Sequence, residues 1–220
     1  MPHDSAPLRT AGADLASGAR GAVVLLHGRG AGAADILALG REIAMDGLAL
    51  LAPDADGATW YPHSFLAPLA SNQPWLDGAL GAVRRTIEAA QEAGIPQERI
   101  ALAGFSQGAC LALESAARMG GHWGAVIALS GGLIGSGEDP SGKPPADKLF
   151  EYDSDLTGTP VFLGCSDVDP HIPFSRVRRS ALVFGDLGAD VDERIYKNMG
   201  HAVNRDELDA ARSLLAPLTT

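Results

Sequence analysis

Four groups of residues in this sequence could do chemistry together. The first is Gly104-Phe105-Ser106-Gln107-Gly108, a Gly-x-Ser-x-Gly pattern. A serine flanked this way can sit on a sharp strand-to-helix turn, its hydroxyl exposed at the end of a sheet. Such a turn strains the serine backbone. It also brings strand and helix so close that a Cβ at either glycine would clash. The helix start behind the serine directs N–H groups at negative charge forming nearby. The second group is His27-Gly28-Arg29-Gly30-Ala31-Gly32. A glycine-rich loop can present backbone N–H groups to an anion. It could be a phosphate cradle, half of an oxyanion hole, or a plain βα turn. No Gly-x-Gly-x-x-Gly and no Walker lysine is present, so the downstream serine pattern favours the oxyanion hole. The third group is Asp167 and Asp169 in Cys165-Ser166-Asp167-Val168-Asp169-Pro170-His171-Ile172-Pro173. The fourth is Gly200-His201, an imidazole on a tight turn. Nucleophile, acid and histidine follow in the order Ser, Asp, His. That order suits acyl transfer by an activated serine on an α/β sheet.

These residues need a sheet whose strand ends converge. Ala22–Leu26, Leu48–Ala52, Ala101–Ala103, Ala125–Leu129 and Thr159–Gly164 are continuous apolar runs, as strands buried on both faces should be. Asp190–Tyr196 alternates. Helical spacing is expected over Asp35–Met45, Pro74–Ala93, the stretch after Ser106, Phe174–Leu187 and a last helix ending near Leu218. In the longest, Leu76, Leu80, Val83, Ile87 and Ala90 form a stripe that reads as core, and Gly94 and Pro96 end it. Strands thus alternate with helices, the signature of a parallel α/β sheet. Each candidate group lies where a strand ends, where open α/β sheets place their sites. Trp60-Tyr61-Pro62-His63-Ser64-Phe65 follows another strand; it could line a pocket or pin a long loop. His63 reads as a loop residue, since no second metal ligand stands at useful spacing. Residues 135–148 read as an exposed loop that could serve as a flap.

The whole chain bounds the choice further. Its 220 residues suit one α/β domain spanning 1–220, with residues 1–20 as a loose lead-in that could hold a short edge strand. A net charge of −10 argues against nucleic acid and anionic membrane as partners. No apolar run is long enough to span a bilayer, and the N-terminus lacks the pattern of a secretory signal. The two cysteines, Cys110 and Cys165, read as reduced, buried thiols, which points to the cytoplasm.

On these motifs the chain resembles the carboxylesterase/phospholipase branch of the α/β-hydrolase superfamily. That branch includes acyl-protein thioesterases and bacterial carboxylesterases related to dienelactone hydrolases. The likeness runs from about Val23 to Leu215. Leu26-His27-Gly28-Arg29-Gly30, Gly104-Phe105-Ser106-Gln107-Gly108, Asp169-Pro170-His171-Ile172-Pro173 and Gly200-His201 carry it. Arg29 and Trp60-Tyr61-Pro62 look more like a bacterial subgroup of small esterases than like the thioesterases.

The resemblance implies a doubly wound, mostly parallel sheet without a large lid domain. It also implies a serine hydrolase acting on carboxylic esters, with no cofactor and no metal. The aromatic loop near Arg29 adds the expectation of a small pocket favouring short acyl or aryl esters, and the lack of a long apolar run that of no integral membrane association. Relatives are often homodimers, so a dimer is a candidate state. Ser106 would be the nucleophile, His201 the general base, and the N–H groups of Arg29 and Gln107 the oxyanion hole. Trp60, Tyr61 and Phe65 would bind substrate. The acid loop departs from the common spacing: counting from Gly164 selects Asp167, and counting back from Pro173 selects Asp169. Asp169 is favoured because Pro170 stiffens its backbone. Asp167 would then accept loop N–H bonds. The alternatives are a thioesterase or lysophospholipase-like activity on the same triad, or a non-catalytic binding protein on this fold.

Overall fold

The computed structural model describes residues 1–5, 7–136 and 149–220. Seven strands form one sheet. They are β1 (Leu8–Gly12), β2 (Gly21–Leu26), β3 (Leu48–Pro53), β4 (Ile100–Phe105), β5 (Ala125–Leu129), β6 (Pro160–Ser166) and β7 (Asp190–Tyr196), in the order β1-β3-β2-β4-β5-β6-β7. Every pairing is parallel except that of β1 with β3. The helices are α1 (Ala33–Ile43), α2 (Trp75–Glu92), α3 (Gln107–Met119), α4 (Phe174–Asp186) and α5 (Arg205–Leu215).

The apolar runs become strands because both faces of the sheet are covered. Val24 and Leu26 belong to the core under α2, α3 and α4, while Val23 and Leu25 belong to the core on the opposite face, under α1 and α5. This sandwiching explains why β2 to β5 read as unbroken apolar sequence. Leu76, Val83, Ile87 and Ala90 of α2 are buried, and Leu80 is partly buried against the same core. The sheet is thus doubly wound and mostly parallel, with no large lid among the described residues. The flap considered over 135–148 lies outside the described residues from 137 onward.

The lead-in holds the short edge strand that the sequence allowed, and it is tied down more firmly than a loose segment. β1 pairs with β3 along five residues, and His3 is fully buried against the rings of Trp60 and Trp75. His3 Nδ1 accepts from Asp56 N at 3.0 Å, and Nε2 lies 3.1 Å from Trp60 O. Burial holds the His3 pKa down, which fits a neutral ring donating at one nitrogen and accepting at the other. Periodicity could not reveal this anchor, because it is one imidazole satisfied by groups more than fifty residues away.

Candidate active site

Ser106 stands between β4 and α3 at φ 56° and ψ −119°, a backbone conformation that a non-glycine residue rarely adopts. The two flanking glycines make the turn possible. A Cβ on Gly104 would lie 2.6 Å from Ala109 N and collide with the Gly108 carbonyl carbon. A Cβ on Gly108 would run into the Leu26 carbonyl and lie 2.7 Å from His27 O. Hence β4, α3 and the end of β2 meet at backbone contact, and the loop after β2 is brought beside the serine.

His201 closes on Ser106 from the loop after β7. Its Nε2 is 2.9 Å from Ser106 Oγ, and its Nδ1 is 2.7 Å from Asp169 Oδ2. The ring packs against Phe105 on one side, and the His171 ring meets it edge-on, each with centroids 4.9 Å away. The Asp169 side chain is wholly shielded from solvent, whereas His201 keeps 19% exposure. Burial of Asp169 opposes its charge. Hydrogen bonds from His201 and from the N–H groups of His171 and Ile172 outweigh it and hold the carboxyl below the usual range. Asp169 is thus an ionised acceptor fixed at both oxygens.

Asp167 points elsewhere. Its Oδ1 accepts from Asn198 N at 2.8 Å, so it braces the histidine loop from outside. Ser166, given no role from sequence, does more. Its Oγ accepts from Val168 N at 3.2 Å, Met199 N at 3.1 Å and Gly200 N at 3.0 Å, joining the acid loop to the histidine loop. Asn204 and Glu207 then start α5 as a reciprocal cap, Glu207 N donating to Asn204 Oδ1 and Asn204 N to Glu207 Oε2. Glu207 is fully buried, and burial pushes its carboxyl up to about 7. Sequence spacing alone offers one sign of this support: Asn204 and Glu207 stand three apart at a helix start.

A cleft of about 520 Å³ opens over Ser106 and His201. Arg29 and Gln107 both border it, and neither backbone N–H has a partner among the described residues. The two could serve a developing oxyanion together. Tyr61, Phe65 and Ile172 form apolar wall. Trp60 departs from the expected pocket wall. It is fully buried beneath the loop, its indole donating to His27 O at 2.9 Å and its ring tilted by 32° against that of His27, with centroids 4.9 Å apart. An indole N–H needs an acceptor when buried, and the end of β2 supplies it. His63 and His171 line the cleft, His171 without having been singled out for a role. Cys110 lies at the cleft floor, and its burial pushes the thiol up to about 12, so it stays protonated. Both cysteines are free and buried. Among the described residues no group of three His, Cys, Asp or Glu side chains could hold a metal ion, and no helix is long and apolar enough to cross a membrane.

Comparison with known proteins agrees with this architecture. The family model for phospholipase/carboxylesterase matches residues 14–218. The crystal structure of a phospholipase/carboxylesterase from Dyadobacter fermentans is 38% identical, with 96% of each chain covered and a TM-score of 0.85. Acyl-protein thioesterase 1 of Gibberella zeae is 34% identical over 124 residues, 56% of this chain and 50% of that protein. Acyl-protein thioesterase 1 of Saccharomyces cerevisiae is 28% identical over 140 residues, 62% of this chain and 57% of that protein. The chain thus spans little more than half the length of these two curated relatives. With a family match running across nearly all of its sheet and helices, the chain belongs to the phospholipase/carboxylesterase family of α/β-hydrolases.

Proposed function

We propose that this protein hydrolyses carboxylic esters with short acyl or aryl groups through an acyl-enzyme on Ser106. The observation that carries the reading is the continuous hydrogen-bonded line Ser106 Oγ, His201, Asp169, at 2.9 and 2.7 Å, opening into the cleft. Ser106 Oγ attacks the acyl carbon while its proton passes to His201 Nε2. Asp169, held ionised, keeps the Nδ1 proton in place and stabilises the imidazolium. The carbonyl oxygen becomes an oxyanion facing the N–H groups of Arg29 and Gln107. Collapse breaks the acyl–oxygen bond, and the leaving alkoxide takes the proton from Nε2. Water then attacks the acyl-enzyme by the same steps in reverse, His201 taking its proton and returning it to Ser106. The strained serine supports catalysis over a purely binding role, because such strain persists where function requires it.

The size of the cleft and its Tyr61, Phe65 and Ile172 walls support a small acyl or aryl group. A thioester is the second reading, favoured by the names of the thioesterase relatives. The test is hydrolysis of p-nitrophenyl esters of increasing acyl length, with matched thioesters, together with labelling by a fluorophosphonate. Short esters should be turned over best and Ser106 should be labelled. An inert Ser106 would overturn the hydrolase reading, and a strong preference for long chains would overturn the pocket assignment.

A further inference from the structure

The two residues whose backbone N–H groups face the oxyanion in the reading above also use their side chains on one shared target. Arg29 Nη1 donates to Pro62 O at 2.9 Å, and Nη2 donates to Tyr61 O at 2.9 Å and His63 O at 2.8 Å. Gln107 Nε2 donates to Tyr61 O at 2.8 Å, and its Oε1 accepts from Trp60 N at 2.9 Å and Thr59 Oγ1 at 3.3 Å. Tyr61 O therefore receives both side chains. The same loop is sewn to the end of β2 by Trp60 Nε1 to His27 O at 2.9 Å and by Gly30 N to Ala58 O at 2.7 Å.

We propose that the side chains of Arg29 and Gln107 are positioning groups that set the oxyanion hole by tying both of its backbone donors to the 59–63 loop. The inference rests on the ester-hydrolase reading. The two donors stand on different segments: Arg29 on a glycine-flanked loop, Gln107 on the first residue of α3. A loop bonded to both makes their separation a property of a third, rigid piece. A planar guanidinium can reach three converging carbonyls at once, which a lysine ammonium at the end of a flexible stem cannot match. Because its donors are turned to these carbonyls, Arg29 serves the loop rather than recruiting an acidic substrate. Tyr61 also forms cleft wall, so acyl recognition and oxyanion stabilisation share one support.

The experiment compares wild type, Arg29→Ala, Arg29→Lys and Gln107→Ala on p-nitrophenyl acetate. Each is also titrated with an aryl trifluoromethyl ketone, which forms a tetrahedral oxyanion adduct, and with the matching methyl ketone, which binds without forming one. Displaced donors should lower kcat by up to about 100-fold in all three variants, with KM little changed. Affinity for the trifluoromethyl ketone should fall in proportion, while that for the methyl ketone holds. Millimolar guanidinium should restore part of the loss in Arg29→Ala and none in Gln107→Ala. Should Arg29→Ala fail to fold, Arg29→Lys keeps the comparison. A rise in KM at constant kcat, or equal weakening of both ketones, would overturn the proposal. Wild type reports on the underlying reading separately. If it neither hydrolyses the ester nor reacts with a fluorophosphonate, the hydrolase assignment falls; if it does both and the variants match it, only this inference falls.

Discussion

His201 Nδ1 lies 2.7 Å from Asp169 Oδ2, and the same carboxylate accepts the N–H groups of His171 and Ile172 through its other oxygen. One oxygen is thus fixed by the loop's own backbone, leaving the second aimed at the imidazole. Asp167, two residues earlier, receives Asn198 N instead. The two acids divide the work of one loop: one meets the ring, the other holds the segment that carries it.

Amide substitutions separate these roles. Asp169→Asn should lower kcat by up to about 10⁴-fold, because an amide facing Nδ1 favours the wrong tautomer. Asp167→Asn should cost far less, since the amide oxygen can still accept from Asn198 N. Steady-state kinetics on one short ester checks both, and a larger loss at Asp167 would reverse the assignment.

Ser106→Ala should abolish fluorophosphonate labelling and acyl-enzyme formation while the thermal transition stays near that of wild type. The residual rate over water, from the oxyanion donors and binding, should be about 10³–10⁴-fold. Near wild-type turnover in the purified variant would remove Ser106 from the mechanism.

Ser166→Ala removes the acceptor shared by Val168, Met199 and Gly200. A fully buried N–H left without a partner costs about 1–3 kcal/mol, and these part-buried groups less. Both Tm and kcat should therefore fall, the latter by up to about 100-fold as His201 loses its register with Ser106. Calorimetry with kinetics distinguishes this from a stability effect alone, in which kcat per folded molecule would not change.

Glu207 gives a pH dependence of stability with an unusual sign. Its folded pKa, about 7, is above the ordinary carboxyl value of 4.5. The native state therefore binds more protons than the unfolded one between those values. The contribution is fully present below about pH 4.5 and is lost as pH rises through 7, amounting to about 3 kcal/mol at most. Glu207→Gln keeps the capping geometry without the charge. Its denaturation free energy should fall less between pH 5 and 8 than that of wild type. Parallel urea curves for the two proteins would refute this.

Trp60 and Phe65 should behave differently although only five residues apart. Trp60→Ala empties a fully buried site and should cost about 3–5 kcal/mol of stability, with its effect on kcat/KM following from disorder of the loop. Phe65→Ala widens a cleft wall and should shift the preferred ester toward longer acyl chains. Urea denaturation and an acyl-length series report the two effects.

The order of strands and helices was legible in the sequence because burial on both faces of a parallel sheet leaves continuous apolar runs. β7 was recognised by its alternation over Asp190–Tyr196. Gly104 and Gly108 were readable because a close approach of backbones forbids a Cβ whatever the rest of the fold does. Spacing also reduced the acid to two residues. It could not choose between them, since both stand at the same strand end and differ only in what their oxygens reach across 31 or 32 residues. Tertiary structure sets Asp169 against His201 and Asp167 against Asn198, and likewise buried Trp60, anchored His3, and gave the side chains of Ser166, Arg29 and Gln107 partners in distant loops. The reason is common to all five. Apolar patterning records local period and burial, whereas a hydrogen bond between loops depends on where two strand ends are brought together.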